Sequence, residues 1–287
     1  MIHDFHYLRP GSLKEALEML SEHGERCKII CGGQSLLIVM RQGMVAPEYL
    51  LDIKHLKELN YIEYDKEEGL RIGATTTHRT IEKSDLVKKY YPVLCAMENR
   101  LASIQTRNWG TIGGNLAHAD PAGDPAPVLI ALGAEIRLLS LKGERRMSLE
   151  DFFVDYFTTQ LKEDELIKEI RVPPLPKKSA CAYQKFNLLK NDMGIVGVAV
   201  KVTLNDDGTS QDVKICLGNA SRTPMRAKKA EELVLGKKYD EKLFAEAGKV
   251  ASSECEPVSD IHASEEFRRH LVGVLTKRML QAAFKAI

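Results

Sequence analysis

Lys28-Ile29-Ile30-Cys31-Gly32-Gly33-Gln34-Ser35-Leu36-Leu37-Ile38-Val39-Met40 decides the architecture of the N-terminal half. Lys28 to Cys31 reads as a short buried strand, and Leu36 to Met40 as a helical apolar run. Between them, Gly32 and Gly33 let the backbone turn sharply and let a ligand approach with no Cβ in the way. The helix start that follows offers unpaired N–H groups, a natural seat for phosphate. No Gly-Lys-Ser/Thr follows, so this is not a Walker A loop, and the spacing is not GxGxxG. Taken alone, a double-glycine turn is an ordinary connection.

The pattern extends on both sides. Ser12, with Glu15 three residues on, heads Leu13 to Leu20 as a capping box, and Gly24 stands where that helix stops. Leu70-Arg71-Ile72-Gly73-Ala74 reads as a strand entering the polar run Thr75-Thr76-Thr77-His78. Tyr91 to Ser103 reads as helical, Val128 to Leu132 is apolar and short, and Glu135 to Leu141 is strand-like, turning at Lys142-Gly143-Glu144. Leu166 to Val172 alternates as a strand and runs into Pro173-Pro174-Leu175-Pro176-Lys177-Lys178, the best domain boundary in the chain. Beyond it, Ile195 to Leu204 and Val213 to Leu217 flank the hairpin turn Asn205-Asp206-Asp207-Gly208. Helices fill the C-terminus, with Phe267, Leu271, Val274, Leu275 and Leu280 expected on one apolar face. The C-terminal part therefore reads as a sheet followed by helices, an α+β arrangement.

The chain has 287 residues, which suits about two domains, and 44% hydrophobic residues, enough for sizeable cores. Its 41 basic residues nearly cancel 40 acidic ones, leaving +1, which argues against nucleic acid or anionic lipid as a partner. No signal peptide or membrane span is evident, so the expectation is a soluble, cytoplasmic protein. The six cysteines are scattered without CxxC or four-cysteine spacing, so no iron–sulfur cluster is expected on this chain.

A second glycine pair lies about 80 residues after the first: Thr111-Ile112-Gly113-Gly114-Asn115, followed by Leu116-Ala117-His118-Ala119-Asp120-Pro121-Ala122-Gly123-Asp124-Pro125. Two such loops can grip the two phosphates of one dinucleotide from opposite sides. His118, Asp120 and Asp124 suggest a metal site at first sight, but Pro121 and Pro125 make the stretch an irregular loop, and turn formation is the simpler reading. His78 either caps a strand end or lines the ligand pocket. Trp109 is read as packing against the second loop rather than stacking on a ligand. The Lys/Glu-rich run 228–238 reads as a solvated helix face.

The GGQS and TIGGN pair, with HADPAGD after the second, resembles the FAD-binding medium subunits of molybdenum hydroxylases, the family of carbon monoxide, xanthine and nicotinate dehydrogenase complexes. The likeness covers nearly the whole chain. It includes Phe5 to Pro10, Ile72 to His78, Asp192 to Ala199 and Arg222 to Ala227. The resemblance implies an FAD-binding domain of the vanillyl-alcohol-oxidase type over residues 1–176, made of two α/β subdomains (about 1–57 and 58–176). It implies a smaller C-terminal domain over 177–287. It implies that Cys31, Gly32, Gly33, Gln34 and Ser35, with Thr111, Ile112, Gly113, Gly114 and Asn115, wrap the FAD pyrophosphate and ribityl chain, largely through backbone N–H groups. By the same likeness Asp124 contacts the cofactor, Leu101 and Ile167 line its pocket, Lys185 lies near the flavin, and Asp192 and Met193 sit on a loop approaching the isoalloxazine. Some relatives carry an aromatic residue at the position of Met193, and most carry alanine at that of Cys31. The partners implied are a large molybdopterin-binding subunit and a small subunit with [2Fe–2S] clusters, in a dimer of heterotrimers. Electrons pass from the clusters through FAD to an external acceptor. The alternatives are a stand-alone FAD oxidase of the same fold and a non-catalytic subunit that has lost FAD.

Overall fold

The computed structural model describes residues 2–189 and 191–287. The chain opens with β1 (His6–Leu8), α1 (Leu13–His23), β2 (Cys27–Ile30), α2 (Leu36–Arg41) and β3 (Tyr49–Asp52). These strands form a parallel sheet in the order β1-β3-β2. α1 starts as its sequence dictates: the Ser12 hydroxyl accepts from the Glu15 N–H at 3.2 Å, and Gly24 closes the helix at φ 50°. Leu17 and Leu20 of α1 pack on Leu51, Ile53 and Leu59.

Next come β4 (Ile62–Asp65), β5 (Gly69–Gly73), five short helices α3 (His78–Lys83), α4 (Asp85–Tyr90), α5 (Pro92–Asn99), α6 (Ile104–Trp109) and α7 (Ile112–His118), then α8 (Pro125–Ala131). β6 (Glu135–Ser140), β7 (Gly143–Ser148), α9 (Leu149–Phe152), β8 (Phe153–Asp155), β9 (Thr158–Thr159) and β10 (Leu166–Val172) follow. β4 to β7 and β10 make an antiparallel sheet in the order β4-β5-β10-β6-β7, so the last strand to be made occupies the centre. The helices cover one face, and Ile72, Ile136, Leu138 and Ile170 supply the sheet side of that core.

The C-terminal part holds β11 (Ser179–Phe186), β12 (Val196–Leu204), β13 (Ser210–Gly218), β14 (Met225–Arg226), α10 (Lys228–Val234), α11 (Glu241–Glu254) and α12 (Glu265–Lys285). Its four strands run antiparallel in chain order. β12 is buried on both faces. Val198, Val200 and Val202 meet the C-terminal helices, while Ala199 joins the core built around α8. Each fully buried valine contributes about 1.5–3 kcal/mol of apolar burial to the C-terminal core, while Ala199 carries the strand's contact with the core around α8.

Two expectations change, and one stretch gains its assignment. The short apolar stretch Val128 to Leu132 lies in α8 and its C-cap, and α8 is buried along its whole length, which removes the polar face that makes helical periodicity visible. On α12, Leu271, Leu275 and Leu280 are buried, but Phe267 is exposed and Arg268 is buried in its place. The Arg268 guanidinium binds the Ile195 carbonyl and Asp260 Oδ2 (2.6 Å), so its charge is matched inside. In the run 228–238, Glu231 is likewise buried; it accepts from the Ile215 N–H at 2.8 Å and from Arg226.

Candidate functional site

The first glycine loop leaves β2 at the open edge of the parallel sheet. Gly33 has φ 66°, the left-handed region that glycine enters without strain. Gly32 lies flat against the second loop: a Cβ there would strike the Trp109 carbonyl and stand 2.6 Å from Gly110 Cα. The two loops therefore touch backbone to backbone. Among the described residues, the N–H groups of Gly33, Gln34 and Ser35 have no acceptor. Three successive free donors on a curved segment are the kind of arrangement that suits an anion.

The second loop is fixed by the threonine run after β5. His78 N–H donates to the Gly110 carbonyl (3.1 Å), Ile112 N–H to Thr76 (3.0 Å) and Gly113 N–H to Ala74 (2.9 Å), with a Thr77–Thr111 bridge between them. Gly113 is pressed onto Ala74, whose Cβ and carbonyl oxygen both lie 2.7 Å from a would-be Cβ. Gly114 differs. Its Cα face is open, and a Cβ would meet only Thr111 Oγ1 at 3.0 Å. Its N–H is taken by the same Thr111 hydroxyl (3.2 Å), so the glycines form the capped first turn of α7 rather than a loop ahead of a helix. The two motifs are thus chemically unequal. The first presents free donors; the second presents a bare Cα surface beside Thr111 and the half-buried Asn115.

Asp124, one residue after the Gly123 that lies against Asn115, meets Lys185. Lys185 Nζ donates to Asp124 Oδ2 at 2.7 Å and the half-buried Tyr183 hydroxyl to Oδ1 at 2.5 Å, with Asp124 and Lys185 themselves buried. Burial pushes the Asp124 carboxyl up, and Lys185 and Tyr183 pull it back. Leu101 and Ile167 are buried in the adjoining core. The segment after β11 leads out to Asp192 and Met193, both exposed, Met193 at 62%. Asp192 accepts from the Leu189 N–H at 3.2 Å, and the next residue, Gly194, is tied through its carbonyl to Asn219 Nδ2 at 2.8 Å. The Asn219 N–H in turn binds Pro121 (2.8 Å), which links this segment to the 119–124 loop. The structure thus brings residues 31–35 against the 109–111 backbone, sets Gly123 where a Cβ would stand 3.4 Å from Asn115 Oδ1 and pairs Asp124 with Lys185, while Leu101 and Ile167 lie in the core and Asp192 and Met193 are exposed.

The sequence of residues 3–175 matches the family described as the FAD binding domain in molybdopterin dehydrogenase, and residues 181–283 match the carbon monoxide dehydrogenase flavoprotein C-terminal domain. The chain belongs to the molybdenum hydroxylase flavoprotein family. It is 36% identical over 284 residues to the medium chain of glyceraldehyde dehydrogenase from Sulfolobus acidocaldarius, covering 99% of this chain and 98% of the relative. Its fold superposes on a chain of carbon monoxide dehydrogenase from Hydrogenophaga pseudoflava with a TM-score of 0.95, at 33% identity and 99% coverage of each chain. Quinoline 2-oxidoreductase from Pseudomonas putida 86 gives 0.93 at 30% identity, covering 100% of this chain and 99% of that one. The flavoprotein subunit is thus an FAD-binding component of an oxidoreductase, with an FAD-binding domain followed by a C-terminal domain.

Within this flavoprotein several neighbours of the loops were invisible in the sequence. Lys54 donates to the Trp109 carbonyl (2.8 Å) and stands 4.2 Å from the centre of the indole, so Trp109, itself 59% exposed, is packed through a cation rather than buried. His78 turns its Nδ1 to the buried carboxylate of Glu98 at 3.0 Å and is itself buried, so its ring braces the second loop from behind. Burial raises Glu98, and His78 offsets part of that rise. Burial likewise pushes the Cys31 thiol up to about 12, so it is uncharged at the start of the first glycine loop. His118 packs beside Phe157 (5.2 Å), and among the described residues no group of three His, Cys, Asp or Glu is placed to share a metal ion. Tyr183 had one available signal: it lies two residues from Lys185 on a strand, hence on the same face. No helix is long and apolar enough to cross a membrane.

Proposed function

We propose that this subunit holds one non-covalent FAD and passes electrons to an external acceptor from [2Fe–2S] clusters on a small partner subunit, themselves fed by a large molybdopterin-binding subunit. The arrangement is a dimer of heterotrimers in the cytoplasm. The observation that carries this reading is the contact of the two glycine loops, one lined with free N–H donors and the other with the open Cα face of Gly114. A diphosphate needs both: donors for its charge and backbone close enough to reach. On this reading residues 31–35 take the pyrophosphate charge, while Thr111 to Asn115 supply a flat wall and the Asn115 amide. Asp124 keeps acceptor capacity on both oxygens for a cofactor hydroxyl. Leu101 and Ile167 exclude water from the pocket, and Lys185, bonded to Asp124 at 2.7 Å, lies near the flavin. Two domains, 1–176 and 177–287, meet at the proline-rich segment. When bound, FAD supplies exchange between one-electron and two-electron carriers; the chain itself needs no acid–base pair.

The test is a division of labour. Acid precipitation of the purified complex should release the flavin into the supernatant. The separated subunit should contain neither iron nor molybdenum and should not oxidise the organic substrate. Turnover by the isolated chain would show a stand-alone oxidase, and a missing flavin spectrum in the complex would show a subunit without cofactor.

Met193 gives a finer probe. Placed at the exposed margin of the site, it is proposed to face the isoalloxazine. Met193→Tyr should then shift the visible flavin band or the flavin potential while FAD stays bound, because an aromatic face changes the ring's surroundings. A spectrum and potential identical to wild type would move Met193 away from the ring.

A further inference from the structure

α5 and α6 are separated by Arg100-Leu101-Ala102-Ser103, a turn with neither glycine nor proline, and Ala102 adopts φ 39°. Left-handed backbone at a non-glycine residue is unfavourable and persists only where its surroundings hold it. The holder is Arg107, on the second turn of α6 and only 6% exposed. Its Nη1 donates to the Leu101 carbonyl at 2.7 Å and to the Ala102 carbonyl at 2.8 Å, and its Nε to Glu82 Oε2 at 3.0 Å. Glu82, on α3, is fixed in turn by Arg79 (2.8 and 2.9 Å) and Asn99 (3.2 Å). Burial alone would raise the Glu82 carboxyl, but its two arginine partners outweigh burial and hold it below the usual value, so the anchor is ionised. Two residues past Arg107, α6 runs into Trp109 and Gly110, the backbone on which Gly32 rests.

We infer that Arg107 is a positioning residue for the cofactor site: by clamping the Leu101 and Ala102 carbonyls it fixes the turn that delivers both Leu101 and the second glycine loop. This rests on the FAD reading above. A permanently charged planar guanidinium suits the task, because three donors are used in fixed directions at once; an ammonium on a flexible stem cannot reproduce that fork. Arg107 touches no reacting group, so its effect appears in how tightly and in what surroundings the flavin is held.

The experiment uses the full chain and FAD itself, with binding followed by flavin fluorescence and folding by circular dichroism. Arg107→Lys should remain folded and bind FAD about tenfold more weakly, as expected for loss of roughly one good hydrogen bond. Ala102→Gly alone should leave affinity within about twofold. Added to Arg107→Lys it should recover at least about threefold, because glycine enters the left-handed region without help. Should Arg107→Lys fail to fold, Ala102→Val provides the independent arm, since a β-branched residue resists this φ, and it too should weaken FAD binding. Wild-type affinity in a folded Arg107→Lys or Ala102→Val protein overturns the proposal, as does a double variant no better than Arg107→Lys. If wild-type chain takes up no FAD, the cofactor reading itself falls.

Discussion

Gly114→Val should empty the subunit of flavin while leaving it folded. A Cβ at Gly114 meets a single side-chain atom, Thr111 Oγ1 at 3.0 Å, on otherwise open backbone with no positive φ, so valine is accommodated once that hydroxyl gives by a few tenths of an ångström. Glycine is also the poorer helix former of the two, so α7 is not weakened. The branched side chain instead fills the space through which the diphosphate must approach. A ligand held off this wall loses the donors of Gly33 to Ser35 together. Hydrogen bonds to a charged group contribute about 1.5–3 kcal/mol each, so loss of two weakens binding on the order of 100-fold or more. Flavin content and circular dichroism, measured on the same sample, check this. In the assembled complex the organic substrate should still reduce the iron–sulfur clusters, while transfer to the acceptor stops; stopped-flow spectra separate the two. A fully flavinated variant would remove the second loop from the site. Gly33 is a poorer place for the same test, because its φ of 66° and the Leu37 side chain 3.0 Å from a would-be Cβ penalise valine directly.

Lys185→Met should cost about 3–5 kcal/mol of stability, the usual price of leaving one member of a buried ion pair alone. For a chain of this size that lowers the melting temperature by roughly 10 °C. Asp124 would keep only the Tyr183 hydroxyl, and burial, already pushing its carboxyl up, would act with less opposition. A carboxyl raised above its unfolded value is most stabilising below that value and loses its contribution as pH rises through the folded one. The variant's deficit should therefore be larger at pH 8 than at pH 5. Asp124→Asn added to Lys185→Met should restore much of the loss, since no buried charge remains. Thermal melts across pH decide it; a deficit that does not vary with pH would mean that Asp124 is not the group left uncompensated.

Elements are legible from the residues where local chemistry and tertiary environment agree. Ser12 with Glu15, and the β-rich run 195–204, specify their elements alone. The pairing of the glycine motifs specifies the family. What stayed hidden was decided by distant partners. Tyr91 to Ser103 reads as one helix, yet α5 ends at Asn99, because Arg107 stabilises a left-handed Ala102 that no local signal announces. Gly113 and Gly114 read as loop residues because glycine disfavours helix. Bonds to Ala74 and Thr111 override that preference. Asp124 shows no ion pair in sequence because Lys185 lies 61 residues away.

The central place of β10 in its sheet has a consequence for the order in which the chain can be finished during synthesis. β5 and β6 face each other across a gap one strand wide, and the strand that fills it is the last of the five to leave the ribosome. Until residues 166–172 emerge, two separate hairpin edges stand unpaired, a state open to wrong partners. The N–H of Ala74, on which Gly113 rests, donates to the Lys168 carbonyl at 3.0 Å. The nascent chain therefore braces the second glycine loop through Ala74 only once residues 166–172 have emerged, whereas the first loop already stands on a parallel sheet of its own.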